Sequence, residues 1–263
     1  RPTDSVRTRL KPVDNGILSL WEKADVVCLG EDHGSKNDSD LRIAVVEHPD
    51  FVKKVRLIMI ESANVAHQDV LDRFILDGKT MSREELSVVW RDATGAEVWA
   101  APIYEAFLRA VQKANLAVPK AQRVPVLAGD DPAQHNRGKW IREAVARELL
   151  NKGSVKSLAI YGSGHCEQRG GSFRGELIDK YPGKIMGVSS FFTADGMEEG
   201  RRLFGLGNEP KLIPIAGTPN AKHPAGKMFF HGYSSDLTTP LGLYFDAIVY
   251  FGDIKDMKVP PKN

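Results

Sequence analysis

The 263-residue chain has the composition of a globular protein, with 42% hydrophobic and 27% charged residues. Its formal net charge is +2 and the basic residues are scattered, which excludes the concentrated basic surface typical of nucleic-acid-binding proteins. No stretch approaches the roughly 18 consecutive apolar residues that a membrane-spanning helix needs. We therefore expect one domain over residues 1–263, with residues 1–20 as a loose, polar N-terminal segment.

Two features bear on the cellular compartment. The chain begins with Arg1 and shows no signal peptide, so the sequence is compatible with an exported, periplasmic or secreted protein and with a cytoplasmic one. The two cysteines are too few for a disulfide scaffold. Cys28 lies in an apolar run and Cys166 directly follows His165, and both a Cys28–Cys166 disulfide and two separate thiols remain open.

Short apolar runs alternate with amphipathic segments along most of the chain. The apolar runs predict strands at residues 25–30, 55–60, 124–128, 155–161, 184–190 and 243–251. Helical spacing predicts helices at 38–48, 65–77, 102–114, 136–150 and 172–180, and residues 82–85 are typical of a capping box that opens another helix. Residues 191–240 are rich in glycine and proline and predict mostly loop. The pattern indicates an α/β fold with a mostly parallel central sheet, helices on both faces, and a helical excursion around 66–115.

Polar residues follow the four clearest strands at the point where each strand ends. The four ends read Gly30-Glu31-Asp32-His33, Glu61-Ser62, Gly129-Asp130-Asp131 and Gly162-Ser163-Gly164-His165. In parallel sheets, ligands bind at the carboxyl ends of the strands, so these side chains are expected to share one pocket. Two ends carry the pattern Gly-x-x-His, in which glycine permits a sharp turn and the histidine points back over the sheet edge. The sequence thus predicts a site centred on His33 and His165.

The paired Gly-x-x-His motifs, together with Glu61, resemble the superfamily that unites erythromycin esterases, ChaN-like haem-binding proteins and the TraB/Tiki proteins. The resemblance covers residues 25–251. Its esterase character lies in Leu29-Gly-Glu-Asp-His-Gly34, in Arg42, and in the segments 60–62, 110–115, 126–130 and 245–250. The first motif is one residue shorter than in the esterases, and Gly162 stands where they carry a further histidine. The resemblance therefore implies a shared site rather than a macrolide substrate.

As a hydrolase, the protein would activate water with His33, because an imidazole titrates near neutral pH. The resemblance places His33, His165, Glu31, Glu61 and Arg42 in the catalytic machinery. Asp130 and Arg169 follow predicted strand ends and are candidates for binding the substrate, and His231 lies in a glycine- and aromatic-rich late segment that is expected to close over the pocket. Glu31 or Glu61 would orient His33, and His165 would assist the leaving group or polarise the carbonyl. Arg42 or Arg169 would stabilise an oxyanion or bind a substrate carboxylate. A purely structural role competes with the functional one for six of these residues: His33, His165, Glu61, Asp130, Arg42 and Arg169. The expected partner is a small-molecule or peptide substrate.

Two other interpretations remain open. His33, His165 and Glu61 or Glu31 are a two-histidine, one-carboxylate set that suits Zn²⁺, Mn²⁺ or Fe²⁺, as a metal-dependent peptidase of the Tiki/TraB type would require. The ChaN resemblance implies instead a haem- or metal-binding protein without turnover, in which His165 or Cys166 ligates haem.

Overall fold

The computed structural model describes residues 1–153, 155–191, 194–226 and 238–262. Within these ranges, seven strands form one sheet in the order β3-β2-β4-β1-β5-β7-β6. All neighbouring strands are parallel except β6, which runs antiparallel to β7. The strands are β1 (Val26–Glu31), β2 (Leu57–Asn64), β3 (Val126–Asp130), β4 (Ser157–Gly162), β5 (Ile185–Ser190), β6 (Lys211–Pro214) and β7 (Ala247–Tyr250).

The described helices connect these strands. They are α1 (Asp4–Leu20), α2 (Lys36–Glu47), α3 (Phe51–Lys54), α4 (Gln68–Ile75), α5 (Arg83–Arg91), α6 (Ala96–Trp99), α7 (Pro102–Leu116), α8 (Arg137–Val145), α9 (Ser163–Cys166), α10 (Phe173–Leu177) and α11 (Ala194–Phe204). A π-helical turn, Ala146–Leu150, continues α8. The predicted capping box is present at the start of α5, where Ser82 and Glu85 cap each other. No helix in the described ranges is both long and apolar enough to cross a bilayer.

The sheet is covered on both faces, which confirms the predicted α/β fold. Successive residues of a strand point to opposite faces. Along β1, Val27 and Leu29 belong to the hydrophobic core that also contains residues of α1, α2, α5 and α7, whereas Val26 and Cys28 belong to the core on the opposite face, which contains residues of α8 and α10. All six residues of β1 are buried, as expected of a central strand in a parallel sheet.

The prediction of a loose N-terminal segment is wrong. Thr3 caps α1 by accepting a hydrogen bond from the backbone N–H of Val6. Leu10, Val13 and Ile17 recur at helical spacing, and all three are buried in the same hydrophobic core as Val27 and Leu29. The buried face of α1 is a single narrow apolar stripe, and the otherwise polar composition of the segment does not indicate it.

The prediction for residues 191–240 is partly wrong, because α11 and β6 lie within them. β6 is only four residues long, and its two end residues, Lys211 and Pro214, are exposed, so it lacks the continuous apolar run that marks the buried strands. Residues 227–237 lie outside the described ranges.

A disulfide joins Cys28 in β1 to Cys166 at the end of α9, with a Cα–Cα distance of 5.5 Å. The bond resolves the alternative that the sequence left open. Both cysteines are fully buried. The bond ties the strand that leads to His33 directly to the short helix that carries His165.

We expect the Cys28→Ala/Cys166→Ala double variant to lose about 3–5 kcal/mol of unfolding free energy, because a long cross-link restricts the unfolded chain. The two cysteines are 138 residues apart in sequence. Denaturant unfolding with and without reductant measures this effect. The denaturation midpoint of the wild type should fall on addition of reductant, and that of the double variant should not change. Equal midpoints for the two proteins in the absence of reductant would contradict the prediction.

Candidate functional site

The parallel register brings the ends of β1, β2 and β4 together. Glu31 at the end of β1 pairs with Gly162 at the end of β4, and Ile60 of β2 pairs with Ile160 on the other side of β4. A cavity of about 660 Å³ opens at this edge. Its lining consists of Glu31, Asp32, His33, Gly162, Ser163, Gly164, His165, Glu167, Arg169, Gly170, Gly171, Ser172 and Tyr244. The predicted convergence of His33 and His165 on one pocket is therefore observed.

Glu31 holds the His33 imidazole. The Glu31 carboxylate is 6% exposed, and its Oε1 lies 2.9 Å from His33 Nδ1. Oε2 forms an ion pair with Arg42, which is itself 2% exposed. Since the ionised carboxylate can only accept hydrogen bonds, Nδ1 must carry the proton. The neutral His33 imidazole then has its lone pair on Nε2.

Aromatic residues also hold Glu31 and His33 in place. The Tyr104 hydroxyl donates to Glu31 Oε1 at 3.1 Å and accepts from the Gly34 N–H at 3.1 Å. The Arg42 guanidinium lies over the Tyr104 ring, 4.8 Å from its centroid. Trp99 meets the His33 ring edge-to-face at 4.6 Å. The helical segment 96–116 thus supplies a rigid wall behind His33.

The loop between Glu31 and His33 is fixed by its own contacts. Asp38 Oδ2 accepts from the Asp32 N–H at 2.8 Å, and Asp38 Oδ1 accepts from the Ser190 hydroxyl at 2.8 Å. Burial raises the pKa of Asp38 to about 7. Gly34 adopts φ = +82°, a conformation that favours glycine, which turns the chain into the start of α2.

Burial lowers the pKa of His33 below its usual 6.5, and the charge of Glu61 offsets part of this effect. The imidazole is therefore neutral near pH 7. This is the protonation state that a general base needs.

Glu61 at the end of β2 organises the other half of the site. Its Oε1 lies 3.4 Å from His165 Nε2, and its Oε2 accepts from the Gly162 N–H at 2.6 Å. Burial would raise the pKa of Glu61, but the hydrogen bond with His165 and the charges of both histidines hold it well below its usual range. The ionised Glu61 carboxylate therefore fixes the His165 ring.

Arg137 joins the ends of β2 and β3. It donates from Nη2 to Glu61 at 2.8 Å and from Nε to Asp130 at 2.5 Å. Asp130 is fully buried and also accepts from the Thr94 N–H at 2.7 Å. Asp130 is absent from the cavity lining, so the expectation that it contacts substrate is corrected to an internal, orienting position.

The remaining predicted residues divide into two groups. Arg169 lines the cavity with both histidines, whereas Arg42 lies behind Glu31 and Glu61 lies beneath Gly162 and His165. The prediction that Arg42 stabilises an oxyanion is therefore corrected, because Glu31 and aromatic rings enclose its guanidinium. His231 lies outside the described residues.

The sequence does not predict three residues that shape this site: Tyr104, Arg137 and Tyr244. None of them follows a strand directly, and Tyr104 lies in a helical segment distant in sequence from β1. For Trp99, the sequence leaves open whether it packs within the helical excursion or forms a wall of the site, and the structure places it against the His33 ring. Glu167, two residues after His165, also lines the cavity. Burial raises its pKa, although the charge of Arg169 partly offsets the effect.

The metal hypothesis does not fit the geometry. Within the described residues, no three histidine, cysteine, aspartate or glutamate side chains are placed to hold a metal ion. Glu61 is engaged by protein groups, because its Oε1 accepts from Arg137 and its Oε2 accepts from the Gly162 N–H. Cys166 is disulfide-bonded and cannot ligate haem as a thiolate.

No family model and no curated protein matches the chain in sequence. Solved structures do match it. A variant of the erythromycin esterase EreC in its open conformation is 10% identical with a TM-score of 0.65, over 94% of this chain and 98% of that one. The chain has an erythromycin esterase-like fold. A Bacillus cereus protein is 14% identical with a TM-score of 0.63, over 96% of this chain and 93% of that one.

A weaker match concerns haem. ChaN of Campylobacter jejuni, described with cofacial haem binding, is 15% identical with a TM-score of 0.46, over 90% of this chain and 91% of that one. That likeness is too distant to bear on haem binding here. The two matches with TM-scores above 0.6 establish the fold alone, and the chemistry has to be argued from the side chains.

Gly162 is predicted to be essential for the position of His33. A Cβ at residue 162 would lie 3.0 Å from both Cε1 and Nε2 of His33 and 3.5 Å from Glu61 Oε2. We expect Gly162→Ala to displace the His33 ring while leaving the sheet intact. Comparing crystal structures of the variant and the wild type measures this displacement, and an unmoved ring would contradict the prediction. Gly164→Ala is the matched control, because a Cβ there meets no atom within 4 Å.

Proposed function

We propose that the protein is a hydrolase of the erythromycin esterase-like/ChaN-like group that cleaves an ester or lactone by direct attack of water. The observation that supports this most strongly is the His33–Glu31–Arg42 arrangement. It holds a neutral imidazole, protonated on Nδ1, at the wall of a cavity large enough for a small molecule. A fixed tautomer with a bare Nε2 is what a general base requires.

In the proposed reaction, His33 Nε2 takes a proton from water as the hydroxyl oxygen adds to the substrate carbonyl. The resulting tetrahedral oxyanion collapses, and the bond to the alcohol oxygen breaks. The protonated His33 returns this proton to the departing alkoxide. The products are a carboxylic acid and an alcohol, and the imidazole regains its neutral state.

Direct attack by water is favoured over a covalent enzyme intermediate. Ser163 lines the cavity wall but is only 2% exposed, and its hydroxyl is hydrogen-bonded to that of Ser189 at 2.7 Å. Cys166 is oxidised and fully buried. Neither residue offers an accessible, activated nucleophile.

In this proposal, Arg42 and Glu61 are positioning residues. Arg42 neutralises Glu31 from behind, which keeps that carboxylate ionised in a buried place and able to accept from His33. Glu61 orients the His165 ring, as Glu31 orients the ring of His33. The disulfide supports a further part of the proposal, an exported protein, because such bonds persist in oxidising compartments.

The test is hydrolysis of a panel of esters, lactones and peptides by the wild type and by His33→Ala. Loss of general-base catalysis should lower kcat/KM about 100- to 10,000-fold on every substrate that is cleaved. Because the pKa of His33 is lowered, the wild-type activity should fall only when the pH drops below 6.5, as His33 becomes protonated.

The matched control is His135→Ala, which removes an exposed histidine that does not line the cavity. Its activity should equal that of the wild type. Equal activity of His33→Ala and the wild type would refute the assignment of the base, and a panel without turnover would refute the hydrolase itself.

A further inference from the structure

Arg169 presents a fixed positive charge to the cavity. Its Nη1 donates to the Tyr244 hydroxyl at 2.7 Å, and its guanidinium lies 5.1 Å from the centroid of the Tyr244 ring. These two contacts hold the side chain along one aromatic surface. The guanidinium is therefore oriented before any ligand arrives, which lowers the entropic cost of binding.

This charge has no carboxylate partner among the residues that the structure describes. Other arginines near the site are neutralised: Arg42 by Glu31, Arg137 by Glu61 and Asp130, and Arg174 by Asp246. Arg169 donates one hydrogen bond to a neutral hydroxyl, which leaves most of its five N–H groups without a protein acceptor in the described ranges. Glu167 lines the same cavity but forms no ion pair with it.

The glycines beside Arg169 leave room for a ligand. Gly164 and Gly170 line the cavity, and a Cβ at either position would meet no atom within 4 Å. Neither residue has a positive φ, so neither the backbone conformation nor packing requires glycine there. Small residues at these positions keep the approach to the guanidinium open.

We propose that Arg169, held by Tyr244, anchors a carboxylate of the substrate while His33 attacks a separate ester bond. This inference rests on the proposed function and deepens it, because it names the substrate class as esters or lactones that carry an anionic group. A carboxylate matches the guanidinium through two parallel hydrogen bonds. Phosphate presents the same oxygen geometry, so the experiment must separate the two anions.

The kinetic experiment compares two substrates with one leaving group. Mono-4-nitrophenyl succinate carries a free carboxylate, and 4-nitrophenyl butyrate is a neutral ester of similar length. The wild type should prefer the succinate in kcat/KM, and Arg169→Gln should lower this preference about ten- to a hundredfold, as expected for lost charged hydrogen bonds. Arg169→Lys should restore part of the preference, because it retains the charge without the planar fork.

The matched control is Arg147→Gln, which removes an equal charge from a residue paired with Glu148 outside the cavity. Its preference should equal that of the wild type. Tyr244→Phe should give an intermediate preference, because it keeps the ring and loses the hydroxyl that accepts from Arg169.

A binding experiment makes the anchor testable without turnover. Succinate and inorganic phosphate are titrated separately into wild type and Arg169→Gln, with sodium chloride at equal ionic strength as the blank. NMR follows the arginine Nε–H resonances, and the one that is missing from the spectrum of Arg169→Gln is assigned to Arg169. This resonance should shift when succinate is added to the wild type. A larger response to phosphate would overturn the carboxylate assignment.

The two proposals fail in different ways. Succinate binding through Arg169 without any His33-dependent hydrolysis would remove the hydrolase and leave the anion site. Hydrolysis that depends on His33, combined with no succinate preference and no shift of Arg169, would overturn the anion site alone.

Discussion

The site depends on the buried ion pair between Glu31 and Arg42. Glu31 closes the central strand, and its carboxylate is almost excluded from solvent. A carboxylate in such surroundings would take up a proton unless a cation lay beside it, and Arg42 on α2 supplies that cation. The pair therefore keeps Glu31 able to accept from His33. A buried pair of this kind is weak evidence of stability, and its value here is the orientation of the imidazole.

The parallel sheet makes this arrangement possible. β4 lies between β1 and β2, so the carboxyl ends of all three strands are neighbours at one edge. The two motifs that carry histidine come from β1 and β4, and Glu61 reaches across from β2 to the backbone of Gly162. Close approach requires glycine at two places. A Cβ at Gly30 would lie 2.7 Å from the Ser163 hydroxyl oxygen, and one at Gly162 would meet His33. The disulfide then joins the two motifs covalently.

Much of the fold and the centre of the site could be predicted from the sequence, because both follow from short-range patterns. Buried strands are recognisable as apolar runs, and because ligands bind at the carboxyl ends of parallel strands, the sequence predicts that His33 and His165 share one pocket. The predicted strands agree with the observed ones to within a few residues, apart from the short edge strand β6.

The parts of the fold and the site that the sequence does not predict depend on contacts between residues distant in sequence. Tyr104 and Trp99 support His33 from a helical segment whose packing direction no local pattern encodes. Arg42 and Asp130 do not line the cavity but contact residues close to it, Glu31 and Arg137 respectively. Their positions in the sequence do not indicate this. The N-terminal helix α1 was missed because its stripe of buried residues is narrow and its other faces are polar.

The most direct test of this account is the protonation of the His33 ring nitrogens, measured by ¹⁵N NMR from pH 5 to 8 with His33→Gln to assign the signals. The account predicts a neutral ring at pH 7 with the proton on Nδ1 and a bare Nε2, which takes up its proton only below pH 6.5. Glu31→Gln should disturb this tautomer, because an amide can donate as well as accept. A ring protonated on Nε2 at pH 7, or charged at that pH, would contradict the central claim.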